Sequence, residues 1–298
     1  MSEVEEVKQK VGERTERVLD VLKIIDDVHI QMDAEMFRDI FELAAALTTP
    51  EVQLWLKDDG LAVRQMDMAH VALTDMFIPK QYFTALKVGK QIKEIRVEIR
   101  DIDGILSRLV HGDVIDFSVV KQGKLRVEVR GKRVRVFDIP LLNPEEVERR
   151  KPALQFMVRG KVALDGLLTA LEDAQKVVLK GKGTEVRMKE ILGTIEFTTG
   201  ASGIRLEADS GDGLYASGTD LTMGWDVIYL SAPVETHTAM SISILGDIIH
   251  AVSKVTNMVY IEYSMDMPMC ITVELPIKGA QLSYWVAPRI EKKISEVT

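Results

Sequence analysis

The chain repeats itself. An Asp59-Gly60 turn is followed by Leu61-Ala62-Val63-Arg64-Gln65-Met66-Asp67, and Gly203 opens a similar run, Ile204-Arg205-Leu206-Glu207-Ala208-Asp209. The same separation relates Ile105-Leu106 to Ile248-Ile249 in two apolar-striped segments. A hairpin and a helix that recur at one common offset imply one module used twice, each copy burying its own apolar face. At 298 residues the chain is long enough for two ordinary cores without disulfide or metal staples.

The elements follow from periodicity. Val28-His29-Ile30-Gln31-Met32 alternates as a strand, and Asp33 stands where it can cap a helix carrying Met36, Phe37, Ile40, Phe41 and Ala44 on one side. Thr48-Thr49-Pro50 ends that helix; the run from Val52 to Leu56 enters the hairpin closed by Asp58-Asp59-Gly60, and more strands reach Ile78. A helix from Asp101 carries Ile102, Ile105, Leu106 and Leu109, and strands follow over 114–120, 125–129 and 134–139. The second half repeats the order: a helix over 162–176, strands over 193–206, 213–217 and 225–230, a helix over 243–252, and strands over 258–263, 269–275 and 281–286. One helix to about four strands, twice per half, is a mostly antiparallel α+β pattern, and the single-strand alternation of a βαβ nucleotide fold is absent. Residues 3–25 place Val4, Val7, Val11, Val18, Leu22 and Ile25 at near-helical spacing and read either as a docked helix or as a half-ordered tail.

Composition narrows the function. Cys270, the one cysteine, lies in an apolar run, so an intrachain disulfide is excluded and a buried thiol in a reducing compartment is expected. The first ten residues are acidic and no run approaches about 18 apolar residues, so neither signal peptide nor membrane span is expected, and the reading is a soluble, intracellular protein. A formal charge of -8 argues against a chain coated in nucleic acid, yet leaves room for a local basic surface. The histidines at 29, 70, 111, 237 and 250 have no ligand spacing, so no zinc site is expected. Asp58-Asp59 and Asp209 with Asp212 sit beside glycines as hairpin turns do, Gly181-Lys182-Gly183-Thr184 lacks the full phosphate-loop spacing, and no Gly-x-Ser-x-Gly elbow occurs. The balance favours a binding or scaffolding protein over its rival, a metal-free hydrolase with dispersed catalytic residues. His70 reads either as a turn residue satisfied by backbone or as the wall of a groove with Met66 and Leu73. Lys80, Lys87, Lys90 and Lys93 follow the first strand set, and Lys176, Lys180, Lys182, His250 and Lys254 flank the second-half helices; they read either as phosphate contacts to a duplex or as a mixed solvated surface.

The run from Gly60 to Leu73, ending Met66-Asp67-Met68-Ala69-His70-Val71-Ala72-Leu73, resembles the signature of the proliferating cell nuclear antigen family of sliding clamps, in its archaeal type. Leu282-Ser283-Tyr284-Trp285-Val286-Ala287-Pro288-Arg289-Ile290-Glu291 is similar to that family's terminal Tyr-Tyr-Leu-Ala-Pro-Lys/Arg-Ile-Glu, and the likeness covers roughly residues 28–292. It implies a DNA clamp fold: two similar domains, each of two βαβββ units, in a trimeric ring with helices lining the hole and antiparallel sheets outside. It also implies a non-catalytic processivity factor without cofactor, which encircles duplex DNA independently of sequence. A clamp loader would place it there, and DNA polymerase, flap endonuclease and DNA ligase would be tethered through a short glutamine-plus-aromatic motif. The place of action would be the nucleoid-associated cytoplasm, or the nucleus in a eukaryote.

Carried onto this chain, the resemblance makes Met66, His70 and Leu73 one wall of the partner-peptide pocket, Pro268 another, and Ala287 with Pro288 a third, with Trp285 where the family usually has tyrosine. Lys87, Lys90, Lys176, Lys180, Lys182, His250 and Lys254 would face DNA. The strand holding Leu125, Val127 and Val129 would pair across the subunit interface with a second-half sheet edge beside 178–192, a segment that looks inserted. The implied organisation is an N-terminal extension over 1–27, a first clamp domain over 28–140, a connector over 141–155, a second clamp domain over 156–292 and a tail over 293–298. Arg149-Arg150-Lys151 departs from the apolar connector of the family, so either the correspondence slips there or the partner is acidic-flanked. Whether the ring is made of this chain alone or of paralogues, as in a specialised heteromeric clamp, stays open at this point.

Overall fold

The computed structural model describes residues 24–47, 49–88, 93–120, 123–143, 152–180, 193–211 and 214–289. In chain order these form β1 (Ile24–Asp33), α1 (Ala34–Ala44), β2 (Glu51–Lys57), β3 (Gly60–Met66), β4 (Ala72–Pro79), β5 (Ala85–Lys87), β6 (Glu94–Glu98), α2 (Ile99–Leu106), β7 (Val114–Val120), β8 (Lys124–Arg130) and β9 (Val134–Pro140). The second half forms β10 (Val158–Ala163), α3 (Leu164–Lys180), β11 (Thr194–Gly200), β12 (Gly203–Asp209), β13 (Ala216–Thr222), β14 (Val227–Ser231), β15 (Thr236–Ser241), α4 (Ile242–Ser253), β16 (Met258–Tyr263), β17 (Met269–Val273) and β18 (Gln281–Val286). The order is the α+β pattern expected, with every named ladder antiparallel. Four strands carried no separate expectation: β5, which spans three residues, and β6, β10 and β15, which are short and run directly into helices. The helix read over residues 3–25 lies outside the described residues, apart from Ile24 and Ile25, which open β1.

The chain divides into two compact units. In the first, residues up to Arg38, Gln53–Leu61 and Pro79–Glu145 hold a sheet in the order β5-β1-β7-β8-β9. Asp33 caps α1 as its position demands: its Oδ1 accepts from the backbone N–H of Glu35 at 2.8 Å, satisfying a donor that the first helical turn leaves unpaired. Phe37 then meets Phe117 with ring centroids 4.9 Å apart, and Ile102, Ile105 and Leu106 of α2 are buried. Leu125, Val127 and Val129 alternate inward on β8 and are fully buried. Both edges of β8 are already paired, to β7 and to β9, so its backbone donors and acceptors are used within the sheet. The expectation that these three residues mark the intersubunit strand is therefore corrected. The edge strands of this sheet are β5 and β9, and β9 exposes Val134 and Val136 at 63% and 51%.

The second unit comprises Asp39–Val52, Ala62–Ile78 and the chain from Glu146. It holds a sheet in the order β13-β12-β11-β15 and a run of strands in the order β14-β10-β16-β17-β18-β4-β3. Helix α3 packs on α4 and on β12 and β13 through Leu164, Leu167, Ala170, Leu171 and Ala174. It reaches Lys180, so the first residues of the apparent insertion over 178–192 continue the helix, and 181–192 lie outside the described residues. Tyr284 is fully buried on β18, and its hydroxyl donates to the Leu43 carbonyl at 2.7 Å, closing one of the acceptors that a helix C-terminus leaves open. Tyr263, also fully buried, packs edge-on to Phe197 and shares a hydrogen bond with the Thr199 hydroxyl.

Gly203, half of the repeat that opens the sequence, has φ 152°, and a Cβ there would stand 2.1 Å from the Leu221 carbonyl oxygen. The obstacle is ladder backbone and cannot swing away. Gly203→Ala is expected to destabilise the fold by roughly 2–3 kcal/mol, read as a lowered midpoint in urea.

Burial pushes the Tyr263 phenol up to about 12 and the Tyr284 phenol higher still, so both are neutral in the fold. An unfolded tyrosine ionises near 10. The stability held by the two neutral phenols is therefore complete below about pH 10 and falls as pH climbs toward the folded values, at up to about 1.4 kcal/mol per pH unit for each. Urea melts between about pH 9 and 11 should show that slope, and Tyr263→Phe should make it shallower.

Candidate functional site

Antiparallel pairing brings distant residues into one row. Leu73 of β4 lies opposite Trp285 of β18, and Trp285 lies opposite Cys270 of β17. Cross-strand partners share a sheet face, so the three side chains stand together, all buried. Two residues toward the strand ends, Val71, Ala287 and Pro268 continue that face by the same period, and the Ala287 N–H bonds the Val71 carbonyl at 2.7 Å. The opposite face of β18 carries Tyr284 into the core, so this strand is buried on both sides. Leu154 and Phe156, alternating along the extended segment before β10, pack over the row together with Met66, and the Phe156 and Trp285 rings lie 5.9 Å apart. The result is an apolar floor of Leu73, Trp285 and Cys270, half-covered by three flexible or aromatic side chains.

The rim is built by a turn. The Asp67 carboxylate accepts from the N–H groups of Ala69 at 3.1 Å, Val71 at 2.7 Å and Ala72 at 2.7 Å, and the His70 N–H bonds the Asp67 carbonyl at 3.1 Å. His70 pays for this tight path with φ 59°, a left-handed conformation uncommon outside glycine, and its ring is exposed. Met66, His70, Leu73, Pro268, Trp285, Ala287 and Pro288 thus fall on one stretch of the sheet and its end loops. Sequence reasoning missed Cys270, Leu154 and Phe156. Alternation put Cys270 on a definite face, but only the β17–β18 register shows that this face is the one holding Trp285.

The basic residues are more dispersed. Lys87 is exposed on β5; Lys176 lies 3.2 Å from Asp173, Lys254 lies 2.9 Å from Glu42, and the Lys180 ammonium sits 5.5 Å from the centre of the Tyr215 ring. Lys176, Lys180, His250 and Lys254 all fall near the C-terminal ends of α3 or α4, where positive charge offsets the helix dipole. Lys90 and Lys182 lie outside the described residues, as do Arg149, Arg150 and Lys151 of the connector. The four helices together carry nine carboxylates, Glu35, Asp39, Glu42, Asp101, Asp103, Asp165, Glu172, Asp173 and Asp247, against four fixed cations, Arg38, Arg100, Lys176 and Lys180. Their surface is acidic on balance.

Comparison with known proteins agrees with the fold. The chain is 26% identical to DNA polymerase sliding clamp 1 of Pyrobaculum aerophilum over 262 residues, which is 87% of this chain and 97% of that one. Its fold superposes on the crystal structure of PCNA from Thermococcus kodakaraensis with a TM-score of 0.74, at 19% identity, covering 88% of this chain and all of that one. It superposes equally on A. fulgidus PCNA solved with the C-terminal region of FEN-1 bound, with a TM-score of 0.72 at 21% identity, covering 89% of this chain. No protein-family model matches the chain. Paired α+β halves built this way are the fold of the DNA clamps. Over nearly the whole length of those proteins, the chain is similar to archaeal DNA polymerase sliding clamps of the proliferating cell nuclear antigen family.

The Asp67 turn gives a test of the rim. Asp67→Ala removes the carboxylate that accepts three backbone hydrogen bonds, at a cost of about 1–2 kcal/mol. It should also weaken binding of a glutamine-plus-aromatic motif peptide by roughly tenfold, measured by calorimetric titration beside a thermal melt, because the rim is no longer held in shape.

Proposed function

We propose that this sliding clamp closes into a trimeric ring around duplex DNA and tethers replication and repair enzymes at the groove floored by Leu73, Trp285 and Cys270. The observation that carries the reading is the likeness over the whole length of known clamps, one of them solved with a bound enzyme segment. DNA polymerase, flap endonuclease and DNA ligase would each enter with a glutamine-plus-aromatic segment, after a clamp loader has opened the ring, in the nucleoid-associated cytoplasm. Burial of an aromatic plug on the apolar floor supplies affinity at about 25 cal/mol per Å2, less the cost of ordering the peptide.

Two free edges support ring closure. Strand β9 ends one sheet and β13 ends another, and both are largely exposed along their length. Two different edges joining head to tail make a heterologous contact, which generates a ring when the rotation closes, and edge pairing removes an aggregation hazard. The interface assigned here is thus β9 of one copy on β13 of the next. Copies of this chain carry both edges and suffice for a homotrimer; failure of the purified chain to self-assemble until a paralogue is added would overturn that.

With helices inward, the hole would be lined by the acidic surface described above, so phosphate attraction contributes little and enclosure holds the ring on DNA. The decisive experiment is processivity of a replicative polymerase on primed circular DNA after clamp loading, with sizing of the free protein. Stimulation is expected, and the loaded ring should stay on a closed circle with less than about threefold change between roughly 50 and 200 mM salt, where a protein gripping 6–10 phosphates loses about 1000-fold or more. Cutting the circle should release it. Pro288→Glu, a half-buried position beside the groove, should abolish stimulation while leaving the ring on the circle. No ring and no stimulation would overturn the reading.

A further inference from the structure

The groove has a sulfur rim. The sheet end that carries it is defined by three pairings, Val286 with Ala72, Met269 with Val286, and Val158 with Tyr263, so the loops before β4, before β10 and between β16 and β17 emerge side by side. Those loops expose Met68 at 76%, Met157 at 46%, Met265 at 55% and Met267 at 40%. Strands about 4.8 Å apart put Met68 about 10–15 Å from the loop between β16 and β17, a span that unbranched thioether chains from both sides can cover, and about 19 Å from the loop before β10. The backbones beneath them are held. Asp67 accepts the bonds described above, Met267 N–H bonds the Ser264 carbonyl at 3.2 Å, Met157 N–H bonds the Ser264 hydroxyl at 2.9 Å, and Asp266 turns the loop with φ 54°.

Stiff loops carrying flexible, exposed apolar side chains around an apolar floor form a surface that gains by being covered, since each thioether leaves water when a partner segment seats. The same exposure makes these sulfurs the first oxidised. Cys270 in the floor is only 3% exposed and Trp285 only 7%, so both are shielded while the rim is not.

We propose that Met68, Met265 and Met267 make partner docking redox-sensitive: a hydroperoxide converts them to sulfoxides, and the polar rim no longer admits the apolar segment. This rests on the groove being the partner site. In the step, a sulfur lone pair attacks one oxygen of hydrogen peroxide, the O–O bond breaks, the sulfur is oxidised by two electrons to S=O, and the peroxide is reduced, leaving as water. A sulfoxide is polar and must shed its hydration to be covered, so the free energy that favoured docking reverses sign at each position.

The test uses the full chain and a synthetic peptide carrying the glutamine-plus-aromatic motif. Hydrogen peroxide is applied until peptide mapping shows sulfoxide at the three positions, and affinity is titrated before, after, and after repair by methionine sulfoxide reductases. Affinity is expected to fall about tenfold or more and to return on repair. In the Met68→Leu, Met265→Leu, Met267→Leu variant, whatever its starting affinity, the ratio before and after peroxide should stay within about twofold. Unchanged affinity of the oxidised protein, or an equal loss in the triple variant, would overturn the proposal. A peptide that fails to bind even the untreated chain would instead overturn the partner-site reading on which it rests.

Discussion

The pairing of β4 with β18 is the constraint on which the functional surface depends. It joins residues more than 200 positions apart in sequence, from Ala72 opposite Val286 to Phe77 opposite Gln281. A slip of one residue would exchange the two faces of β18, sending Tyr284 away from the Leu43 carbonyl and Trp285 into the core. Both alternatives are costly: a buried phenol would lose its acceptor, and the groove would lose its floor. The register is therefore held from both sides, by a hydrogen bond beneath and by apolar packing of Phe156, Leu154 and Met66 above.

That arrangement explains why the groove can be both stable and adaptable. Its floor belongs to a sheet and is fixed; its rim belongs to loops whose backbones are tied by Asp67 and Ser264 while their methionine side chains remain free to rearrange. The pattern of charge follows a different logic. In α3 an acidic residue, Asp165, opens the helix and Lys180 closes it, as the helix dipole favours, and the four helices together carry more carboxylates than fixed cations.

Much of the architecture was legible in the residues. Period-two runs marked most strands, Asp33 marked a helix start, and the recurring offset between Gly60 and Gly203 marked the duplication. The site was legible in part, because Met66, Leu73, Trp285 and Pro288 sit in runs with a strong likeness to known clamps. The edge assignment failed for a plain reason. Leu125, Val127 and Val129 alternate as any half-buried strand does, and alternation records which face a residue occupies without recording whether its strand has neighbours on both sides.

The sequence alone therefore determined the element order, the duplicated module and the absence of stapling chemistry, since each depends on local periodicity or on residue type. Tertiary structure alone decided which strands lie at sheet edges, that Cys270 shares a face with Trp285 and Leu73, and that exposed methionines of three separate loops lie at one end of a sheet. Those are matters of register between segments far apart in the chain. Backbone hydrogen bonds that any residue can make set the spacing, and only the packing of the whole sheet chooses among the registers they allow.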